Sequence, residues 1–309
     1  MKSFSDLRYF CEFIINKYGS PLNASEDDKA QEFRNVYLRN LPLDLRTLKA
    51  IASACGVHVN GVDSKKLPQN IRGYHDVFDD NRNIYYKKGD TISGIENTIL
   101  HEFREMIEPV FAELCLDYNP LRTSAVHLVS NKFATAVLLP KDEFREKVYE
   151  TGFDVVALSR HYSKSCSQVL LRMGEVLQGS IFLYGALYEQ GPEVGTWTLN
   201  YWTGSANNDD PEANVYGADG LFPRKGRAVA PGSLVDMVIQ RKKSFLAERI
   251  TLLDGMDDEG LAALAGPLNI SGAPVKVALV VLLGLNRNLF APQIERTRPA
   301  VIEGFHRHL

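Results

Sequence analysis

The run Thr98-Ile99-Leu100-His101-Glu102-Phe103-Arg104-Glu105-Met106-Ile107-Glu108 constrains this chain more than any other stretch. It has helical spacing, no internal proline or glycine, and a histidine followed four residues later by a carboxylate. Residues four apart on a helix share one face, with Cβ atoms about 6 Å apart, so His101 and Glu105 can reach a single point. Glu102 points into the adjacent sector, where it can touch a water held at that point without being a ligand. A histidine and several glutamates are also ordinary composition for a solvated helix face, so this run needs a partner to mean anything more.

A partner follows. Leu121 to Leu139 reads as another helix, with Val126, Val129, Phe133, Ala136 and Val137 supplying an apolar stripe at three- and four-residue intervals. His127 falls off the densest part of that stripe and can face the first helix. Two imidazoles and one carboxylate, with a fourth position open to water, form a common catalytic zinc shell. A glutamate beside the bound water is then the general base. The spacing is that of the zinc-protease signature His-Glu-x-x-His with Glu105 in place of the second histidine. The competing reading makes Glu105 a solvated residue and His127 a core histidine. Glu108 reads as a solvated helix residue before Pro109.

The order of these runs resembles the zinc metallopeptidases of the ImmA/IrrE type, which include a phage-element anti-repressor protease and a bacterial radiation-response regulator. The residues that carry the resemblance are Leu43-Asp44-Leu45 leading to Ala54-Cys55-Gly56-Val57, then Asn83-Ile84-Tyr85-Tyr86, then Ile99-Leu100-His101-Glu102-Phe103. Ser130-Asn131-Lys132-Phe133-Ala134 follows, ending at Leu138-Leu139-Pro140, so that residues 40 to 177 are spanned. Two positions depart from the pattern: Glu105 stands where the family has its second histidine, and His127 stands where the family has its glutamate ligand. The two changes exchange residue types, and the set remains two imidazoles and one carboxylate.

The resemblance implies a Zn2+ site, with Mn2+ as the alternative ion, held by His101, Glu105 and His127, with Glu102 as the catalytic base; Asn131, one turn after His127, either orients a ligand or braces the helix pair. It also implies an endopeptidase whose substrate is a helix-turn-helix transcriptional repressor, cleaved to derepress stress-response or mobile-element genes. The alternative is a catalytically silent, metal-binding, ligand-sensing transcription regulator.

Composition sets the remaining bounds. With 309 residues and a formal charge of -3, the chain has no global basic field to attract nucleic acid. Cys11, Cys55, Cys115 and Cys166 are widely spaced with no Cys-x-x-Cys pair, which points to a reducing cytoplasm. Charges interrupt the first nine residues where a signal peptide would be apolar, and Val275 to Leu285 is too short to span a bilayer as a helix.

Along the chain, helices are expected from Leu7 to Ile15, Ala24 to Tyr37 and Leu45 to Cys55, the last with Asp44 at its start. Val57-His58-Val59 begins strands, and Gly73 to Phe78 with Asn83 to Tyr86 reads as a hairpin. His58, His75, Tyr85 and Tyr86 are further site candidates, each with an ordinary sheet role as its competitor. Lys141 to Glu150, Asp154 to His161 and Ser165 to Leu177 are helical. The last pair looks helix-turn-helix-like, but its only basic residues are Arg160, His161, Lys164 and Arg172, which argues against direct DNA binding.

Beyond residue 180, Ile181 to Tyr188 and Thr196 to Trp202 read as strands, Gly204 to Gly220 as loop, Ser233 to Lys243 as helix, Ala273 to Leu283 as a buried central strand, and Pro299 to His308 as a terminal helix. That order resembles a small-ligand GAF domain, and Trp197, Tyr201 and Trp202 could line a pocket for a small ligand or pack as core. The expected architecture is α+β. It comprises a zincin-like metallopeptidase domain with a small antiparallel sheet over 1–140, a helix-turn-helix-like segment over 141–178, and an α/β GAF-like regulatory domain over 179–309.

Overall fold

A computed structural model of the chain describes residues 7–39, 41–68, 71–78, 81–191, 195–207, 225–247, 250–252, 257–258, 261–268, 276–283, 295–297 and 300–302. The architecture is mixed α+β, and the chain divides into two compact units, Met1–Lys141 and Asp142–Leu309.

The first unit is built around aromatic residues. Helix α1 (Leu7–Tyr18) buries Leu7, Phe10, Cys11 and Ile14. Helix α2 (Glu26–Phe33) starts with a reciprocal cap between Ser25 and Asp28 and runs into a π-helical turn, Arg34–Leu38. The single helix expected over Ala24 to Tyr37 is therefore two geometries in series. Phe33 sits edge-on to Phe10, Phe103 and Phe133, with ring centroids 6.1, 5.3 and 5.7 Å away. Each buried phenylalanine contributes roughly 1.5–3 kcal/mol relative to exposure. The cluster ties α1 and α2 to helix α4 (Ile92–Leu114) and helix α5 (Thr123–Leu138).

Helix α3 (Leu45–Ala54) is capped by Asp44, which accepts from Thr47 N–H at 2.7 Å. It leads into a three-stranded sheet of β1 (Val57–Val62), β2 (Gly73–Phe78) and β3 (Asn81–Lys87) in the order β1-β3-β2. The β2–β3 pair is the expected antiparallel hairpin, but β1 runs parallel to β3. The sheet is thus mixed, not antiparallel, because β2 lies one strand away from β1 and runs opposite to it, and the hairpin then turns β3 into the gap in β1's own direction. Gly73 sits against α4, where a Cβ would meet Thr98 Cγ2 at 2.3 Å and the Tyr85 carbonyl oxygen at 2.4 Å. Only glycine lets β2 approach the helix so closely, one turn before His101.

In the second unit, α6 (Lys141–Glu150), α7 (Val155–Tyr162) and α8 (Cys166–Val176) precede a six-stranded sheet. Its order is β11-β6-β9-β10-β4-β5, from β4 (Ser180–Gln190), β5 (Trp197–Asn207), β6 (Phe245–Ala247), β9 (Leu261–Leu268), β10 (Lys276–Leu283) and β11 (Glu295–Thr297). A second sheet joins β7 (Ile250–Leu252), β8 (Asp257–Asp258) and β12 (Ala300–Ile302). Strand β10 lies between β9 and β4, as its unbroken apolar run requires.

Alternation along β4 places Phe182, Tyr184, Ala186 and Tyr188 on one face with Leu234, Val235 and Val238 of helix α9 (Leu234–Arg241). The other face carries Gly185 against Leu170 of α8, and Gly174 of α8 lies against Thr203 of β5. Helices thus cover both faces of the sheet.

Several expectations change here. A register shift between Leu187 and Tyr188 inserts an extra residue in β5, so Trp197 and Trp202 share the α9 face while Tyr201 takes the other. The three aromatics therefore do not line one pocket, and burial pushes the Tyr201 hydroxyl up to about 12. The segment expected to be loop from Gly204 continues as strand to Asn207, and the rest of it, with Asp209 and Asp210, lies outside the described residues. Ala300–Ile302 is a strand paired with β7 and not part of a terminal helix, and His306 and His308 lie outside the described residues. Among the described residues, no helix is long and apolar enough to cross a membrane, and the four cysteines are free thiols. Arg172 and Lys164 in the helix-turn-helix-like element are buried, which leaves Arg160 and His161 as its exposed basic residues.

Candidate metal centre

Packing of α4 against α5 decides what faces what. On α4, Ile99, Phe103, Met106 and Ile107 are buried in the core. Their periodicity leaves His101 and Glu105 on a neighbouring stripe. On α5, Phe133, Ala134 and Val137 are buried, and His127 and Asn131, four apart, look across at α4.

Three donor atoms converge between the helices. His101 Nε2 lies 3.0 Å from Glu105 Oε1 and 3.3 Å from His127 Nδ1, and His127 Nδ1 lies 2.6 Å from the same carboxylate oxygen. Glu105 Oε1 is buried, yet neither imidazole approaches it along a hydrogen-bonding direction. The two imidazole nitrogens meet within hydrogen-bond geometry, but the carboxylate oxygen has no directed bond, which leaves it able to face a centre shared with them. Tetrahedral zinc with bonds of about 2.0–2.2 Å separates its ligands by about 3.3 Å. The triangle observed here has a circumradius of about 1.7 Å, shorter than such a bond, so one position lies a bond length from all three atoms. The donor set fits the ion.

The surroundings hold that arrangement. His101 Nδ1 is 3.0 Å from Asn131 Oδ1. If Nδ1 carries the proton and donates it there, Nε2 is left as the free lone pair that faces the centre. The two rings stack with centroids 5.5 Å apart. Burial disfavours protonation of His101, but the Glu105 and Glu102 carboxylates outweigh it and hold its pKa above the ordinary 6.5. Burial likewise works against ionisation of Glu105, and the facing histidines reverse it, so its pKa lies below the ordinary value. The two shifts express one attraction.

Glu102 is placed differently from the expectation of a base open to water. Its side chain is only 9% exposed, and Oε2 lies 2.7 Å from His75 Nδ1 on β2. That contact raises the His75 pKa, against a lowering by burial. His75, a site candidate from sequence with an ordinary sheet role as its competitor, thus lies within reach of Glu102 and Glu105, and Gly73 is what lets β2 come so close. His58 is exposed on β1 and joins neither group. Tyr85 stacks on Tyr74, and the Tyr86 hydroxyl accepts from Lys49 Nζ.

The competing assignments at α4 and α5 are reversed. Glu105 is largely enclosed, and it is His127, with 57% of its side chain exposed, that meets solvent. Glu108 is neither solvated nor near the centre. It is buried, and accepts from Arg104 Nη1, the Tyr118 hydroxyl and Leu121 N–H at 2.8, 2.5 and 2.9 Å.

No protein-family model matches the sequence, and no curated protein matches it. Among solved structures, a Mycobacterium tuberculosis transcriptional regulator aligns with a TM-score of 0.56 over 96% of this chain and 89% of that one, at 14% identity. At that identity the likeness is one of fold.

Proposed function

We propose that this protein is a metal-binding transcription regulator whose first unit holds a divalent cation, Zn2+ or Mn2+, through His101, Glu105 and His127, and whose second unit senses a small ligand. The observation that carries the reading is the convergence of two imidazole nitrogens on a buried carboxylate oxygen that has no directed hydrogen bond. The fold shared with a protein described as a transcriptional regulator supports the regulatory part. Catalytic silence is supported by Glu102, whose carboxylate is enclosed and already bonded to His75. A group so engaged is poorly placed to take a proton from water. The burial of Lys164, before α8, and of Arg172, within it, favours action through a protein partner over direct DNA contact.

A second reading rests on the position of Glu102 beside the ligand pair. In it the protein is a zinc endopeptidase acting on a helix-turn-helix repressor. Bound zinc would supply Lewis acidity and an acidified water. Glu102 would release His75, take the water's proton and return it to the leaving amine, while Asn131 orients His101.

Two measurements test the readings, the first their shared premise and the second the difference between them. Metal per purified chain tests the shared premise, with stoichiometric metal expected in the wild type and none after His127→Ala with Glu105→Gln. Incubation with helix-turn-helix repressors encoded nearby tests catalysis. Intact repressor alongside retained metal supports the regulator, whereas cleavage that disappears in Glu102→Gln establishes the peptidase.

A further inference from the structure

The two oxygens of the Glu105 carboxylate face different neighbours. Oε1 belongs to the triangle with His101 and His127, while Oε2 lies 3.7 Å from His75 Nδ1, itself 2.7 Å from Glu102 Oε2. His75, Glu102 and Glu105 each offer a ligand atom within 4.8 Å of the other two. We propose that these three residues form a second divalent-cation site and that Glu105 bridges the two ions, making a two-ion centre. The proposal rests on the first site being a metal site.

Three observations carry it. Two of the three edges, 2.7 and 3.7 Å, bracket the ligand spacing of about 3.3 Å around an ion with bonds near 2 Å, and the third lies within 4.8 Å. Among the described residues, neither Glu102 nor Glu105 has a lysine or arginine partner, so two enclosed carboxylates face only imidazoles. Finally, Gly73 admits β2 to the helix surface and so brings a third imidazole to a pair that α4 and α5 alone would complete without it. Any proton on His75 Nδ1 must leave that atom before a cation can bind there.

The chemistry of the two subsites differs. Two imidazoles and one carboxylate suit Zn2+, whereas two carboxylates and one imidazole form a harder set that also suits Mn2+. One divalent ion already balances the two carboxylates, so the second binds more weakly and is helped by a small anion, such as hydroxide or a carboxylate, that completes the pair. Bridged ions in two-metal sites stand about 3.5–4 Å apart, close enough for two Mn2+ ions to couple magnetically.

The test uses the full chain, stripped with chelator and titrated with Zn2+ alone and with Mn2+ alone. Bound ions per chain are counted, and the electron paramagnetic resonance spectrum of the Mn2+ form is recorded. The expected result is two ions per wild-type chain, the second weaker, with a coupled Mn2+ pair, falling to one uncoupled ion in His75→Ala. One ion per wild-type chain overturns the second site and leaves the first standing, and this result needs no variant to fold. Two ions in a folded His75→Ala variant also overturn it. No ion in the wild type overturns the first site as well.

Discussion

Helix α4 carries glutamates at 105 and 108, three residues apart, and the two have opposite fates. On one side Glu108 shares Arg104 with Glu26, which accepts from Arg104 Nε at 2.8 Å and from Lys29 Nζ at 2.8 Å. Two cations meet two carboxylates, and Tyr118 and Leu121 N–H fill further lone pairs. On the other side Glu105 and Glu102 face His75, His101 and His127, with no fixed positive charge among the described residues. The first region is complete as it stands. The second requires protons or a cation to balance it. Burial alone therefore does not tell one kind of carboxylate from the other; what separates them is whether the charge is answered by fixed positive groups.

The largest effect expected is on the complete side. Arg104→Ala would strand Glu26 and Glu108 in the interior, and breaking a buried ion pair costs about 3–5 kcal/mol. Denaturant unfolding should show that loss, while chains that remain folded keep their metal. Should Arg104→Ala instead lose metal at unchanged stability, the contrast between the two sides of α4 breaks.

Glu105→Gln comes next. It keeps the shape and removes the charge, and metal affinity should fall by more than the about 10–100-fold that an outer partner is worth. Unfolding of the metal-free protein should change by under about 1.5 kcal/mol, the scale of one hydrogen bond. Asn131→Ala should cost affinity within that 10–100-fold range, since it frees the His101 ring without removing a donor. Isothermal titration reads both.

Acidification is the gentlest probe, and it separates the two regions by the pH at which each gives way. The raised pKa of His101 means that protons compete for its lone pair from above pH 6.5, so metal should begin to leave on descent through that range. Glu108 is pushed up by burial and pulled further down by Leu121 N–H, Tyr118 and Arg104, so its net pKa is lowered. The stability it contributes is present above the ordinary 4.5 and is lost only as pH falls through its lower folded value. Metal retention against a chelator should therefore fail at a higher pH than the fold does, as followed by circular dichroism. Coincident transitions would mean that the fold depends on the metal.

Much of this was legible along the chain because helical periodicity is local. Ile99, Phe103, Met106 and Ile107 announce the core face of α4, and His101 and Glu105 share a stripe whatever the helix packs on. His127 could be read the same way from the stripe of α5. Glu108 was misread because its deciding partners are remote: Arg104 four residues back was visible, but Glu26 is 78 residues from Arg104, and Tyr118 is beyond the helix end. Ala300 to Ile302 was misread as helix for a similar reason. Ala300–Ile302 is extended because it pairs with β7, about fifty residues earlier. In β5, one extra residue reversed the side taken by Tyr201, and alternation counted from sequence cannot detect such an insertion.

The amino-acid sequence by itself determined which side chains share a helix face, which strand is buried on both sides, and that two imidazoles and a carboxylate could meet. These follow from residue spacing and the fixed periods of helix and strand. Only the tertiary structure decided that β2 brings His75 to Glu102, that Glu105 turns its two oxygens to different neighbours, and that Glu108 is locked away. Those outcomes depend on how closely separate elements approach, to within an ångström, and side-chain electrostatics change steeply over that distance.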